Sequence, residues 1–270
     1  MLADLLKPRL TEMGKIKIGG LGDAREKKGG GTYRLPRKDD HFTITTLHRD
    51  PKGSLVTDDP LMQELIGELG DSDGKLRQIP IVVMSDDPED IMQCAYVWYA
   101  GKRVGARSDG KVVTWNIDRT TGAVLVPPLI EAWSPDMADL MQDKEHKLFK
   151  LYTTFNCVIT SKDARWGGVY KLRTTSHITS EQLYGSLIHI SQLTRGVLRG
   201  MPMRLIVRPM QVTPGGTPTT VHVVHCELRG ADILSIQAQA LTMAQAQVTQ
   251  TRALEAINIQ YKEILTTPGD

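Results

Sequence analysis

One cluster of side chains in this sequence has the types needed for acid–base or metal chemistry, the consecutive residues Asp39, Asp40 and His41. The segment 41–47 that follows is rich in Thr and Ile and is predicted to be a strand. Successive side chains of a strand point to opposite faces, so at most two of the three could meet at one ligand without a bulge. No zinc-protease motif elsewhere in the sequence supports a metal site. A polar entry to the strand is therefore favoured over a catalytic or metal site.

Histidines and cysteines elsewhere are spaced in ways that do not favour a metal site. His222 and His225 are three residues apart in a predicted strand and face opposite sides, although Cys226 lies beside them. The other two cysteines, Cys94 and Cys157, are remote, which predicts small buried thiols in a reducing compartment rather than a disulfide framework. The sequence therefore predicts a protein with no cofactor and no enzymatic activity, with a degenerate metal hydrolase as the least favoured alternative.

A glycine-rich segment, residues 23–38, is the one locally basic region. The run 29–31 consists of glycine alone, so we expect this segment to form a mobile loop. The segment and the predicted strand before it carry basic side chains that could contact a protein partner or nucleic-acid phosphates: Lys15, Lys17, Arg25, Lys27, Lys28, Arg34, Arg37 and Lys38. A loop whose charges are simply solvated is the favoured alternative.

A second candidate site lies where a predicted strand leads into a predicted helix. Arg173, Thr174 and Thr175 precede the helix, where hydroxyl groups and free backbone N–H groups favour an anion or a polar partner. Ordinary capping of the helix by these residues is the favoured alternative.

Composition limits the classes of function. The chain has 270 residues and a formal net charge of +2, with 40% hydrophobic and 24% charged residues, which is typical of a globular protein. No apolar run is long enough for a membrane span, and the N-terminal residues do not resemble a signal peptide, so we expect a cytoplasmic protein. The near-neutral charge favours a protein partner, and the aromatic content of 5% argues against base stacking as the main mode of binding.

The sequence pattern predicts an α+β fold, mainly antiparallel strands with a few helices and a long C-terminal helix. Strands are predicted at 15–18, 41–47, 79–85, 148–160, 168–176, 203–212 and 220–228. Residues 94–117 are predicted to be strands joined by turns, with a hairpin turn at Asp109-Gly110. Helices are predicted from Pro60 to Leu69 and from Thr179, as the N-cap, to Leu198. Residues 118–143 contain three prolines and are predicted to be mostly loop. We expect one domain over residues 1–230, followed by a separate helical element over 231–270.

The predicted C-terminal helix has an apolar stripe with two possible roles. Residues 231–265 contain no Gly or Pro, and Leu234, Leu241 and Val248 recur every seven residues. The stripe then shifts to Leu254, Ile257, Tyr261 and Ile264. A helix of about 50 Å could dock at its start and offer its end to a partner or to a second copy of the chain. Alternatively, it could fold back along the sheet.

Two long blocks of the sequence resemble one known family. The first runs from KIKIGGLG through the basic segment to KDDHFTITTL, and the second from YKLRTTSHITSEQLYGSLIHI to TVHVVHCEL. These blocks are similar to the recombination directionality factor-like proteins of temperate phages, and the similarity covers about residues 14–230.

The resemblance implies a function without chemistry of its own. Such a factor binds a large serine integrase, with the integrase's coiled-coil arms as the implied contact, and biases that enzyme toward excision. Relatives are expected to carry a cysteine-rich stretch in the middle, but residues 122–149 contain no cysteine, so a metal-binding or hydrolase label does not transfer to this chain. The partners implied are the integrase and its complex with DNA. The alternative is a phage early protein that binds single-stranded DNA through the basic segment 23–38.

Overall fold

The fold comes from a computed structural model that describes residues 10–26, 31–51, 53–134, 149–229 and 232–266. The strands are β1 Glu12–Lys17, β2 Gly20–Glu26, β3 Thr32–Arg37, β4 Thr43–Arg49, β5 Leu55–Thr57, β6 Gln78–Val82, β7 Met92–Ala100, β8 Arg103–Ser108, β9 Val112–Ile117, β10 Val124–Ala132, β11 Lys150–Ile159, β12 Val169–Thr174, β13 Met203–Val212 and β14 Thr219–Leu228. The α-helices are α1 Asp59–Leu69, α2 Pro88–Ile91, α3 His177–Leu193 and α4 Ile233–Thr266.

One large mixed sheet organises the described chain, and its strand order is β10-β9-β8-β7-β11-β12-β1-β4-β5. The end of β11 also pairs with β6, from which β13 and β14 continue as a branch. Neighbouring strands are antiparallel except β1 and β12, which are parallel. The α+β class predicted from the sequence is confirmed.

The alternation of side chains gives the central strands two different faces. Ile16, Ile44, Phe155 and Leu172 are buried on the inner face of β1, β4, β11 and β12, in one hydrophobic core. Helices α1 and α3 add leucines to this core, namely Leu61, Leu65, Leu183 and Leu187. The opposite face, called the outer face below, carries by register Lys15, Lys17, Thr154, Asn156, Lys171 and Arg173.

Two segments predicted to be loops are strands in the structure. The basic segment forms the hairpin β2–β3, a separate two-stranded sheet, so the mobile-loop prediction is wrong outside the undescribed residues 27–30. Residues 124–132 pair with β9 despite Pro127 and Pro128. Proline is tolerated there because β10 lies at the edge of the sheet, and the register is irregular between Val124 and Leu129.

The helix predicted over 179–198 begins and ends earlier than expected. Its N-cap is Ser176, whose hydroxyl accepts a hydrogen bond from the backbone N–H of Thr179 at 3.4 Å. Thr179 itself is fully buried, inside the first turn. Both residues are good caps by type, and only packing against the sheet places Thr179 within the helix.

The C-terminal helix α4 docks by its first half. Ala240 is buried in the main core, and Ile236 and Met243 pack partly buried against it. These three positions follow the spacing i, i+4, i+7 of a single helix face. The helix therefore docks on the core at its start, as one of the two predicted roles requires. The side chains of Leu254, Ile257, Tyr261 and Ile264, in the second part of the stripe, are not among those that the structure describes.

Candidate partner- and DNA-binding surfaces

The β2–β3 hairpin carries three of the predicted basic site residues, Arg25, Arg34 and Arg37. Arg25 and Arg37 are exposed on its two strands. Arg34 lies on β3 without a described side chain, and Lys27 and Lys28 lie outside the described residues. The hairpin therefore places Arg25 and Arg37 on a surface that a partner could reach.

Two basic residues at the base of the hairpin have contacts within the protein. Arg37 Nε lies 2.9 Å from the Asp39 carboxylate. Lys38 Nζ donates a hydrogen bond to the carbonyl oxygen of His222 at 3.3 Å, and burial lowers the Lys38 pKa. Lys38 therefore helps to attach the hairpin to β14 and is less available to a ligand than the sequence suggested.

Lys15 and Lys17 lie on the outer face of β1, next to other cations. Lys15 pairs in register with Lys171 of β12, so their side chains share this face. The Lys17 pKa is lowered by burial and then by the charges of Lys15 and Arg49. The repulsion that lowers this pKa would be relieved by an anion bound to the outer face.

In the predicted anion-binding set Arg173, Thr174 and Thr175, two of the three side chains have contacts within the protein. Both guanidinium nitrogens of Arg173 donate to the carboxylate of Glu12, at 2.8 and 2.6 Å. Burial raises the Glu12 pKa, but the hydrogen bond and charge of Arg173 outweigh it and hold the pKa below its usual value. The Thr174 hydroxyl accepts from the N–H of Ser176, and only Thr175 is exposed without a described hydrogen bond. Most of this set fastens β1 to β12.

The acid–histidine cluster is an ion-pair network. The Asp40 carboxylate contacts His41 Nδ1 at 2.9 Å and receives hydrogen bonds from Lys75 and Arg77, each at 2.8 Å. Arg77 also binds the carboxylate of Asp71. These hydrogen bonds hold the Asp40 pKa far below its usual value of 3.8. Within the described ranges, no group of three or more His, Cys, Asp or Glu side chains could hold a metal ion.

The Asp40 network predicts an acid-dependent loss of stability. Because the Asp40 pKa is depressed in the folded protein, its stabilisation is complete well above 3.8 and is lost as the pH falls below that value. We expect Asp40→Asn to lower the free energy of unfolding at pH 7, and the gap from wild type to narrow as the pH falls below about 4, in urea titrations. Asp73→Asn, which alters an exposed carboxylate in the loop that carries Asp71 and Lys75, serves as the control. If the difference in free energy of unfolding between wild type and Asp40→Asn stayed constant down to about pH 2, the ionised Asp40 carboxylate would not be the stabilising group.

Two of the three cysteines are buried, as expected, and the third is not. Cys157 and Cys226 lie in the main core, where burial raises the pKa of each thiol. Cys94 is exposed on β7, so the expectation of burial is wrong for this residue. The Cys94 sulfur lies 3.4 Å from the Thr153 hydroxyl oxygen, but the side chain remains exposed to solvent.

Helix α4 presents an apolar stripe and adjoining grooves. Leu234, Leu241 and Val248 are 74%, 61% and 51% exposed, on a side of the helix away from the docked residues. A cavity of about 320 Å³ and another of about 560 Å³ lie between α4 and residues 194–199. Leu241 lines the first, Val248 lines the second, and Val197 and Ala244 line both. The stripe and the two cavities form an exposed surface along α4 that is mostly apolar, with Arg195 lining both cavities.

Comparison with known protein families matches residues 13–229 to the description "Recombination directionality factor-like". The chain belongs to the recombination directionality factor-like family. No curated protein and no solved structure matches it. The family match begins at β1 and ends after β14, so it includes the hairpin and the outer face but not α4.

Membership in the recombination directionality factor-like family connects the chain with bacteriophage-type DNA recombination and, in general, with an integrase as protein partner. The family is generally non-enzymatic. None of the helices in the described ranges is long and apolar enough to cross a membrane.

Sequence reasoning missed several residues that this family member places at its surfaces. Lys171 and Arg107 join the outer face through strand register, and Val197 completes the groove beside α4. The alternation of YKLR within β12 was a usable signal for Lys171. No local pattern marks Arg107 or Val197, since long-range pairing and packing bring them to these positions.

Proposed function

We propose that this protein is a phage or prophage directionality factor that binds a large serine integrase and biases recombination toward excision. The observation that carries the proposal is the family match over nearly the whole of the main sheet. The low net charge of +2 supports a role whose main contact is with a protein.

In physical terms the proposed activity is a shift of population. An integrase with two arrangements on DNA moves toward the one that the factor binds more tightly, and the shift is limited by the difference between the two affinities. A change from 1:99 to 99:1 needs about a 10⁴-fold preference. A bound factor can therefore redirect recombination without a catalytic group of its own.

We propose that the stripe Leu234, Leu241 and Val248 on α4 is the surface that contacts the integrase. Apolar residues that recur every seven positions are typical of a helix that pairs with another helix, and a coiled-coil arm is such a partner. Residues 233–251 contain no charged side chain, so this part of α4 offers apolar contact, while Arg195 lines both adjoining cavities. A second copy of this chain is the other occupant that the same stripe could accept.

The proposal is tested with purified protein, the cognate integrase and labelled attachment-site DNA. We expect the protein to slow the migration of the integrase–DNA complex, to leave bare DNA unshifted at the same concentration, and to increase excisive over integrative product. An unchanged product ratio at saturating factor would contradict the proposal.

The same assay separates the competing function, single-strand binding through the hairpin. Salt-sensitive binding of bare single strands that disappears in the variant Arg25→Glu with Arg37→Glu, together with no effect on the integrase, would favour that function. Under the proposed function the hairpin variant retains its effect on the integrase complex. Analytical ultracentrifugation of the free protein shows whether α4 instead joins two copies.

A further inference from the structure

Strand pairing assembles a row of cations on the outer face that the sequence does not place together. Lys15 lies opposite Lys171 across the β1–β12 pair, and Asn156 lies opposite Lys171 across β11–β12. Val97 lies opposite both Lys150 of β11 and Arg107 of β8, which puts Arg107 on the same face. The strands β1, β12, β11, β7 and β8 are consecutive, and Lys150 lies six residues before Asn156 on β11, so the cations extend about 19 Å across the strands and about 20 Å along them.

A polar groove runs along part of this row. It has a volume of about 690 Å³, and three cations line it, Lys171, Arg107 and Arg199. Asp90 is the one acid in its lining, and that carboxylate already accepts a hydrogen bond from the Ser85 hydroxyl at 2.9 Å. A cavity with this excess of positive charge favours an anionic ligand.

Two of the cations that line the groove, Lys171 and Arg199, form only long ion pairs with neighbouring carboxylates. Lys171 Nζ is 3.8 Å from Glu12, whose carboxylate is already bound by Arg173 through two hydrogen bonds. Arg199 Nε is 3.8 Å from Asp86, whose other oxygen accepts from two backbone N–H groups. Lysine and arginine at these distances can turn to a ligand phosphate at little cost, since exposed ion pairs contribute little.

Two tyrosines lie on the same face. Tyr152 of β11 shares this face with Thr154 and Asn156, because residues two apart on a strand point to the same side. Tyr99 of β7 packs edge-to-face on it, with ring centroids 5.5 Å apart, and is 45% exposed. Tyr99 lies two residues beyond Val97, so its exposed ring is at the Arg107 end of the cations, and single-stranded bases stack on exposed rings of this kind.

We infer that the outer face, through Lys15, Lys17, Lys171, Arg107 and Tyr99, binds single-stranded nucleic acid. The cations follow the phosphates across the strands and the tyrosine stacks on a base. Duplex DNA would use the cations but not the ring, because its bases are already stacked on one another. This activity goes beyond the proposed function, since it needs no integrase and uses neither α4 nor the hairpin.

Fluorescence anisotropy with a labelled 20-nucleotide oligothymidine tests the inference, with a duplex of the same length as comparison. We expect tighter binding of the single strand, and a plot of log K against log salt with a slope of roughly −3, for about four phosphates neutralised. Arg107→Glu with Lys171→Glu should weaken binding at least tenfold. Tyr99→Ala should weaken it about fivefold or more, and Tyr99→Phe should not.

Matched controls locate the binding on the protein. Arg208→Glu with Arg229→Glu reverses the same number of exposed cations, on and after strands β13 and β14, and should leave the affinity within about twofold. Circular dichroism and thermal melting confirm that each variant is folded. Binding that is independent of salt, a duplex bound as tightly as the single strand, or equal losses in the outer-face and control variants would each overturn the inference. A loss confined to Arg25→Glu with Arg37→Glu would move the site to the hairpin and would also overturn it.

Discussion

Replacing Leu241 and Val248 together by glutamate is expected to weaken integrase binding at least about 100-fold while the protein remains folded. Both side chains are more than half exposed, so the substitutions remove little buried area from the protein's own core. In the proposed complex the same positions are desolvated against an apolar partner helix, where two unpaired carboxylates are strongly unfavourable. Hot-spot residues at the centre of an interface cost about 2 kcal/mol or more each when truncated, and a desolvated, unpaired carboxylate at each of these two positions adds to the loss of affinity.

The measurement is the affinity of the factor for the integrase–DNA complex, by titrated gel shift or biolayer interferometry. A matched control is Gln239→Glu with Ala246→Glu, which adds the same two charges, seven residues apart, at exposed positions on a different side of α4. The control should bind within about twofold of wild type. Equal affinities for the stripe variant and wild type would exclude α4 as the contact and would leave the family-matched sheet to provide it.

Truncation of Phe155 to alanine is expected to cost about 3–5 kcal/mol of the free energy of unfolding. Phe155 is fully buried at the middle of β11, where its neighbours in register are Met92 of β7 and Leu172 of β12. The cavity would lie beneath the strand that joins both parts of the main sheet. A domain has only about 5–15 kcal/mol of stability in total, so the loss should lower the melting temperature by roughly 6–20 °C.

Urea denaturation followed by circular dichroism measures this loss. Trp166→Ala is the control, because it also removes an aromatic ring, but one that is 66% exposed in the turn before β12. That change should stay within about 0.5 kcal/mol. A loss below about 1 kcal/mol for Phe155→Ala would mean that β11 is not at the centre of the core.

Much of the fold could be predicted because the patterns involved are local. The i, i+4 leucines of α1, the Asp109–Gly110 turn between β8 and β9, and the hairpin β13–β14 each depend on residues close in sequence. The hairpin β2–β3 could not be predicted in this way, since its composition of glycine and charge is typical of a loop. Strand β10 was hidden by its prolines, which its edge position and irregular register accommodate.

The candidate binding surfaces likewise include some features set by local sequence patterns and others set by long-range contacts. The seven-residue stripe of α4 is visible in the sequence because helical periodicity is local, but its exposure depends on which face Ala240 and Met243 bury. The low aromatic content of 5% argued against stacking as the main mode of binding, yet composition cannot show that Tyr99 and Tyr152 meet among cations. The sequence suggested that Arg173 is free to bind a ligand, but in the fold it is hydrogen-bonded to Glu12 of β1, which is distant in sequence.

The sequence by itself determined the family, the α+β class and the near-neutral charge, because each depends on residue types and short-range order. Only the tertiary structure decided which charges are neutralised and which are gathered together. Lys15, Lys171 and Arg107 lie far apart along the chain, and they share one face because β1, β12, β11, β7 and β8 pair in that order. The register of those pairs is fixed by the burial of Ile16, Phe155 and Leu172, since a slip by one residue would exchange the core for the charged face.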